Sequence, residues 1–333
     1  MPSASAALYA RWWQLESWLR ELLYVDLRAR FGERWADEGK VTSVRQEQDA
    51  AFTHMLGADS ENPLAYLDYS QIVERINQHW ELFEYALITR TAWEGRQEEL
   101  KRIRHKIGHV RRPHPDDVSR LEQTLRDLER GAFLAVASFN DERTPDVKEH
   151  RDAVTQGWIA RTHDDAQRLI RHAERQYETT LHLRSTRRPW AKLPKESRHA
   201  PGLLWKADFF MRGRAVDAQR LWYDTALNRL RPLLVYLLCH NLHHVTFVFS
   251  GADDEGRVAD AIGEAFDAVL LNANVFEVSL DDGPLEAWRD RVRWVDYRVK
   301  TDSAWNVIDP STLPYSHFGA GGGTHAMPRW RSG

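Results

Sequence analysis

Near the N-terminus, apolar side chains recur at Leu8, Trp12, Leu15, Leu19, Leu22 and Leu23. This spacing of fours and threes predicts one long amphipathic helix from Ala4 to about Arg30. Trp13 and Trp18 thicken the stripe, and an aromatic stripe of this kind belongs in a core or on a dimer surface. Phe31 to Leu67 is mixed and holds Gly32, Gly39, Gly57 and Pro63, so a broken helix and loops are expected there. A second helix is predicted from Asp68 or Ser70, either of which can cap it, through Ile72, Ile76, Trp80 and Phe83. A third carries Leu100, Ile103, Ile107 and Val110 on one stripe. Pro113-His114-Pro115-Asp116-Asp117 then breaks the chain and supplies caps for a fourth helix, with Val118, Leu121, Leu125 and Leu128 on its face. Up to about residue 140 the pattern is that of an all-helical bundle of four or five helices.

Beyond a polar connection at Asn140 to Val147, a helix is predicted over Asp164 to Leu181. The basic run Arg184, Arg187, Arg188, Lys192, Lys195 and Arg198 is interrupted by Pro189 and Pro194, which excludes a regular helix. After Pro201 the periodicity changes. Leu203 to Met211 reads as a strand, Val216 to Leu238 as a helix, and His244 to Ser250 as a buried strand of β-branched and aromatic residues. A helix at Arg257 to Leu270, a strand at Val275 to Leu280, a helix at Pro284 to Val292 and a strand at Trp294 to Val299 complete an alternation that predicts parallel strands in an α/β layer. Gly319 to Gly333 is a glycine-rich tail, expected to be mobile. The expected fold class is therefore α+β and multidomain. It comprises a helical bundle over 1–140, a helical and basic linker over 141–200, a small α/β domain over 201–318 that senses a signal or binds a partner or substrate, and the tail over 319–333.

Composition narrows the functional classes. A chain 42% hydrophobic and 29% charged is an ordinary globular protein, and a net charge of −3 gives no overall basic signature. Any affinity for nucleic acid must come from local clustering. The single cysteine, Cys239, excludes an intramolecular disulfide and suits a reducing compartment. Met1 to Ala7 lacks the basic and apolar regions of a secretion signal, and the most apolar segment, Leu233 to Leu238, is much shorter than a membrane span. A cytoplasmic protein is expected, without a membrane partner.

The candidate chemistry lies in Leu100 to Pro113. On a helix, His105 and His109 project almost opposite the apolar stripe, and Arg104 sits on its flank, where the stem packs and the guanidinium reaches outward. Gly108 and Pro113 end the helix, so His109 stands beside the negative end of its dipole. His105 and His109 also have metal-ligand spacing, with His114, Asp116 and Asp117 following. However, Lys106 stands where the glutamate of an HExxH pattern would be, and the surrounding cations disfavour Zn²⁺. Elsewhere, His240, His243 and His244 near Cys239 read as packing and capping at a helix-to-strand junction. Ser250 to Gly256 reads as an acidic loop whose carboxylates would repel phosphate.

Arg104-His105-Lys106-Ile107-Gly108-His109 resembles the Arg, polar residue, spacers, His signature of the HEPN superfamily. These are small helical-bundle domains, many of them metal-independent endoribonucleases. The order of elements is similar too, with a long first helix, a helix containing Trp80, the motif helix, and a final helix started by proline. The likeness covers about the first 140 residues. Most relatives have Asn after the arginine, and this chain has His105. The resemblance implies RNA cleavage by 2′-hydroxyl attack at a homodimer interface, without metal or cofactor. Arg104 would stabilise the phosphoryl charge, His109 would transfer protons, and His105 would assist. Such chemistry needs a base, an acid and a cation, and these residue types supply all three. Lys101, Arg102, Lys106, Arg111 and Arg112 would hold the RNA backbone. The family context implies a toxin or phage-defence role, tRNA or another cellular RNA as substrate, and an antitoxin or sensor as partner. The competing expectation is a catalytically inactive HEPN-like module that binds RNA or protein.

Overall fold

The computed structural model describes residues 4–41, 44–51, 63–109, 111–137, 142–192, 199–216, 221, 224–241, 243–275 and 315–316. Helix α1 runs over Ala4–Phe31. Its first half is amphipathic as predicted, burying Leu8, Trp12, Leu15, Trp18 and Leu19. Trp13, however, faces outward with 45% exposure, beside Tyr9 at 60%. From Glu21 to Ala29 every residue of α1 is buried, so this half has no solvent face. Gly32, at φ +60°, ends the helix in the left-handed region, and a Cβ there would collide with the Asp253 carboxylate.

Short helices α2 (Trp35–Glu38) and α3 (Val44–Ala50) follow, then α4 (Tyr69–Gln78). Asp68 caps α4, its N–H donating to Gln71 Oε1 at 2.8 Å. The predicted continuous helix through Phe83 is broken at His79, where φ −115° and ψ 35° leave the helical region, and α5 (Trp80–Phe83) is separate. Helix α6 (Arg90–Gly108) ends at the predicted Gly108, and α7 (Pro115–Ala137) starts within the predicted Pro113 to Asp117 segment. Together with α4 they pack around α1.

The sheet region corrects the sequence pattern in three places. The helix expected over Asp164 to Leu181 is α8 (Ala166–His172) plus a π-turn to Tyr177. Glu178 at φ 47° then reverses the chain, and β1 (Thr179–Arg187) begins on two β-branched threonines. The sheet therefore starts inside the stretch expected to be a linker. The helix expected over Val216 to Leu238 is β3 (Arg214–Val216), a short α9 (Thr225–Leu230) and β4 (Leu234–Asn241). A short apolar run such as Leu233 to Leu238 satisfies either periodicity, and Pro232 before it bars continuation of a helix. Third, the strands pair antiparallel throughout the described residues, not parallel. With β2 (Leu203–Met211), β5 (His244–Ser250) and β7 (Tyr315–Ser316) the main sheet has the order β1-β2-β5-β4-β7. Two residues join β4 to β5, a link that only antiparallel neighbours can share. Helix α10 (Glu255–Asn272) leads to β6 (Ala273–Val275), which pairs with β3. The remainder of the strand expected over Val275 to Leu280, the elements expected over Pro284 to Val292 and Trp294 to Val299, and the tail lie outside the described residues.

Alternate residues of β2 and β5 serve two cores. Trp205, Ala207, Phe209, Phe247 and Phe249 share a core with Ile262 and Phe266 of α10, while Leu204 and Val248, with Tyr236 of β4, join the core of the helical region. The second half of α1 is thus enclosed between the other helices and the sheet, and its polar residues are paired. Arg28 donates to both Asp253 oxygens at 2.9 and 2.7 Å and to Pro232 O at 2.8 Å. Asp26 accepts from Arg188 Nε at 2.7 Å, Tyr85 Oη at 2.8 Å and Trp190 Nε1 at 2.9 Å. Burial pulls the Arg188 guanidinium down, but Asp26 outweighs this and raises it above its ordinary value, so the guanidinium stays charged.

Candidate functional site

The motif occupies the last turns of α6. Leu100 and Ile103 are buried at 0% and 2%, and Ile107 packs on the same core, which orients the helix so that His105 and His109 face solvent. Val110 lies outside the described residues. The two imidazoles stand one turn apart and stack, with ring centroids 5.9 Å apart and planes 15° apart. The helix stops at His109, whose N–H still donates to His105 O at 3.2 Å.

Arg104 does not share that face. Five residues separate it from His109, about 140° around the helix, and its Nη2 donates to Asp68 Oδ1 at 3.2 Å. Arg45 Nη2 holds the other Asp68 oxygen at 2.9 Å. Asp68 lies below the usual carboxylate range because of this hydrogen bond from Arg45, with partial burial opposing and the charge of Arg104 adding to it. These groups line an open cleft of about 410 Å³ with Glu16, Arg20 and Tyr66. Arg20 is tied to Glu16 Oε2 at 2.9 Å and to Leu64 O at 3.0 Å. The sequence pattern identified Asp68 only as a helix cap and missed Arg20 and Arg45. No local periodicity marks them, because the cleft joins α1, α3 and α6 by folding.

The other motif cations divide. Arg102, Arg111 and Arg112 are exposed and form no ion pair among the described residues. Lys101 is exposed and pairs with Glu98 at 2.7 Å. Lys106 donates to both Asp117 oxygens at 2.8 Å, and Asp117 also accepts the His114 N–H at 2.8 Å. Lys106 therefore fastens the end of α6 to the start of α7. The same contacts keep Asp117 away from the histidine pair, and His114 faces Asp116. Among the described residues no three His, Cys, Asp or Glu side chains gather with metal-binding geometry.

The histidines near Cys239 sit at a β4–β5 hairpin, not at a helix-to-strand junction. His243 Nδ1 lies 2.6 Å from Arg214 O, and His244 Nε2 lies 3.1 Å from Asp208 Oδ1. The acids of the Ser250 to Gly256 loop are structural, Asp253 binding Arg28 and Asp254 capping α10. Asp208 is fully buried and also accepts from Thr246 Oγ1 at 2.5 Å and Arg184 Nη2 at 2.8 Å. Burial pushes its carboxyl up, but hydrogen bonds from His244, Thr246 and Arg184 outweigh this and hold it well below the usual carboxylate range. A depressed folded pKa adds stability that is present above the unfolded value of about 3.9 and is lost as pH falls toward the folded one. The expected result is that the urea midpoints of wild type and Asp208→Asn, well separated at neutral pH, converge as pH falls below about 4. A gap independent of pH would contradict this assignment.

Among the described residues no helix is long and apolar enough to cross a membrane. No family model, no curated protein and no solved structure matches this chain, so motif and geometry alone carry the functional assignment that follows.

Proposed function

We propose that the helical region is a metal-independent endoribonuclease of the HEPN type that acts as a homodimer in the cytoplasm. The observation that carries this reading is the exposed, stacked His105–His109 pair on the same short helix segment as the Arg104 guanidinium, with Arg102, Arg111 and Arg112 exposed nearby in the chain. His109 takes the 2′-hydroxyl proton, and the 2′-oxygen attacks phosphorus. The P–O5′ bond breaks, and the leaving oxygen is protonated as a 2′,3′-cyclic phosphate forms. Arg104 offers its fork to the phosphoryl oxygens, whose charge grows in the transition state. Base and acid must stand on opposite sides of the phosphorus in an in-line displacement. Two parallel imidazoles on one face of one helix approach from the same side, which is the physical reason for a second copy facing the first.

The test is incubation of the purified protein with total RNA in EDTA, alongside light scattering. Chelator-resistant cleavage and a mass near twice that of the chain support the proposal. Loss of activity on chelation, or full activity in a strict monomer, would refute it. A second reading, an inactive module that binds RNA or protein, is favoured by the commitment of Arg104 to Asp68 and of Lys106 to Asp117. Its signature is RNA that is bound and left intact. The toxin or phage-defence role, tRNA as substrate, and an antitoxin or sensor acting through the sheet region belong to the same proposal and rest on the family resemblance.

A further inference from the structure

A second cleft of about 390 Å³ opens between α4 and α6, lined by Tyr69, Ser70, Val73, Asn77, Gln97 and Lys101. Gln97, Lys101 and Arg104 follow one another along α6 at intervals of four and three, so they lie on one face of the helix. This cleft and the arginine cleft are therefore consecutive along that face, about 10 Å apart for seven residues at 1.5 Å each. The N-terminus of α4, Asp68 and Tyr69, stands between them.

The second cleft contains an unsatisfied group. Gln97 is only 5% exposed, its Oε1 accepts the Tyr69 hydroxyl at 2.6 Å, and its Nε2 has no hydrogen-bond partner among the described residues. Whichever way the amide is turned, one hydroxyl can engage only one of its two polar atoms. Among the other polar groups of the cleft, Asn77 Oδ1 accepts from Trp93 Nε1 at 3.0 Å, Gln78 Nε2 donates to Glu74 at 3.1 Å and Lys101 pairs with Glu98 at 2.7 Å. Tyr69 and Val73 supply an apolar wall. A flat group with an apolar face and a polar edge fits such a lining, and the buried amide gives that edge its partner.

We infer that the two clefts form one nucleotide site, in which the Gln97 cleft takes an unpaired nucleobase and the arginine cleft takes a neighbouring phosphate. Arg45 and Arg104 exchange the Asp68 carboxylate for phosphoryl oxygens when RNA enters, and Asp68 keeps the two guanidinium groups in place until then. A base seated in a pocket cannot be paired, so the substrate is a single-stranded segment. This inference rests on the ribonuclease reading for its choice of RNA, but it concerns binding and can be tested without cleavage.

The probes are fluorescent 2′-O-methyl hexanucleotides, which lack the nucleophilic hydroxyl, used as single strands, as duplexes and with abasic positions, and binding to the full chain is followed by anisotropy. Gln97→Glu retains the acceptor for the Tyr69 hydroxyl and converts the donor to an acceptor. Ser70→Trp fills the mouth of the cleft from an exposed position. Both are expected to weaken single-strand binding at least tenfold and to leave the abasic probe unaffected. Arg45→Gln is expected to weaken both probes and to lower the salt dependence by about one ion. Wild-type binding that ignores strandedness and abasic sites, absence of any binding, or full affinity in Gln97→Glu and Ser70→Trp would overturn the inference. Native RNA cut with Gln97 dispensable refutes this site alone, whereas probes bound and native RNA left intact refutes the nuclease alone.

Discussion

Replacing His109 by alanine is expected to slow RNA cleavage by a factor of about 10² to 10⁴, the range for loss of a positioned general acid or base. The side chain is exposed at the end of α6 and stacks on the His105 ring, so the substitution leaves the core untouched and the loss reports chemistry. Arg104→Ala should cost about 10² to 10³, as expected for removal of a group that meets developing charge. Arg104→Lys should recover little, because an ammonium lacks the planar fork. His105→Ala separates two roles. A proton carrier would shift one limb of the pH–rate profile, whereas a packing partner for His109 would lower the rate at every pH alike. Single-turnover rates on a defined RNA measure all four variants. Rates within twofold of wild type for both His109→Ala and Arg104→Ala would remove the catalytic assignment, with circular dichroism as the control for folding.

The second large effect is on stability. Arg28 and Asp253 have 0% and 1% side-chain exposure and meet through two hydrogen bonds between α1 and the loop after β5. Truncating one member leaves the other charge buried and uncompensated, which costs about 3–5 kcal/mol. Asp253→Ala should therefore lower the urea midpoint strongly. Arg28→Met with Asp253→Ala should lose much less than the sum of the two single changes, because no lone charge remains. Additive losses in that cycle would show that the pair is not the source. Since the contact joins helices to sheet, the far-UV signal of the helices and the fluorescence of buried Trp205 should change at the same urea concentration in wild type.

These two predictions draw on different levels of information. The solvent-facing placement of His105 and His109 was legible from spacing alone, because the stripe of Leu100 and Ile103 fixes which side of α6 they leave. The partners of Arg104 were not legible. Asp68 was visible as a helix cap, a local role, while its second role as the carboxylate between Arg45 and Arg104 depends on three elements distant in sequence. The partner of Lys106 was not legible either, because Asp117, in the first turn of the next helix, meets it only once α6 and α7 pack.

The sequence by itself determined the helices whose periodicity is local, α1, α6, α7 and the start of α4, and the strand at His244–Ser250 with its β-branched and aromatic run, and it offered a strand at Leu203–Met211 as well. Only the tertiary structure decided the antiparallel order of the sheet, the strand at Leu234–Asn241, and the burial of the second half of α1. The physical reason is common to all three. Strand pairing, and the burial of charges such as Asp26 and Arg28, are set by partners far along the chain, and a pattern of neighbouring residues carries no information about a hydrogen bond that spans two hundred positions.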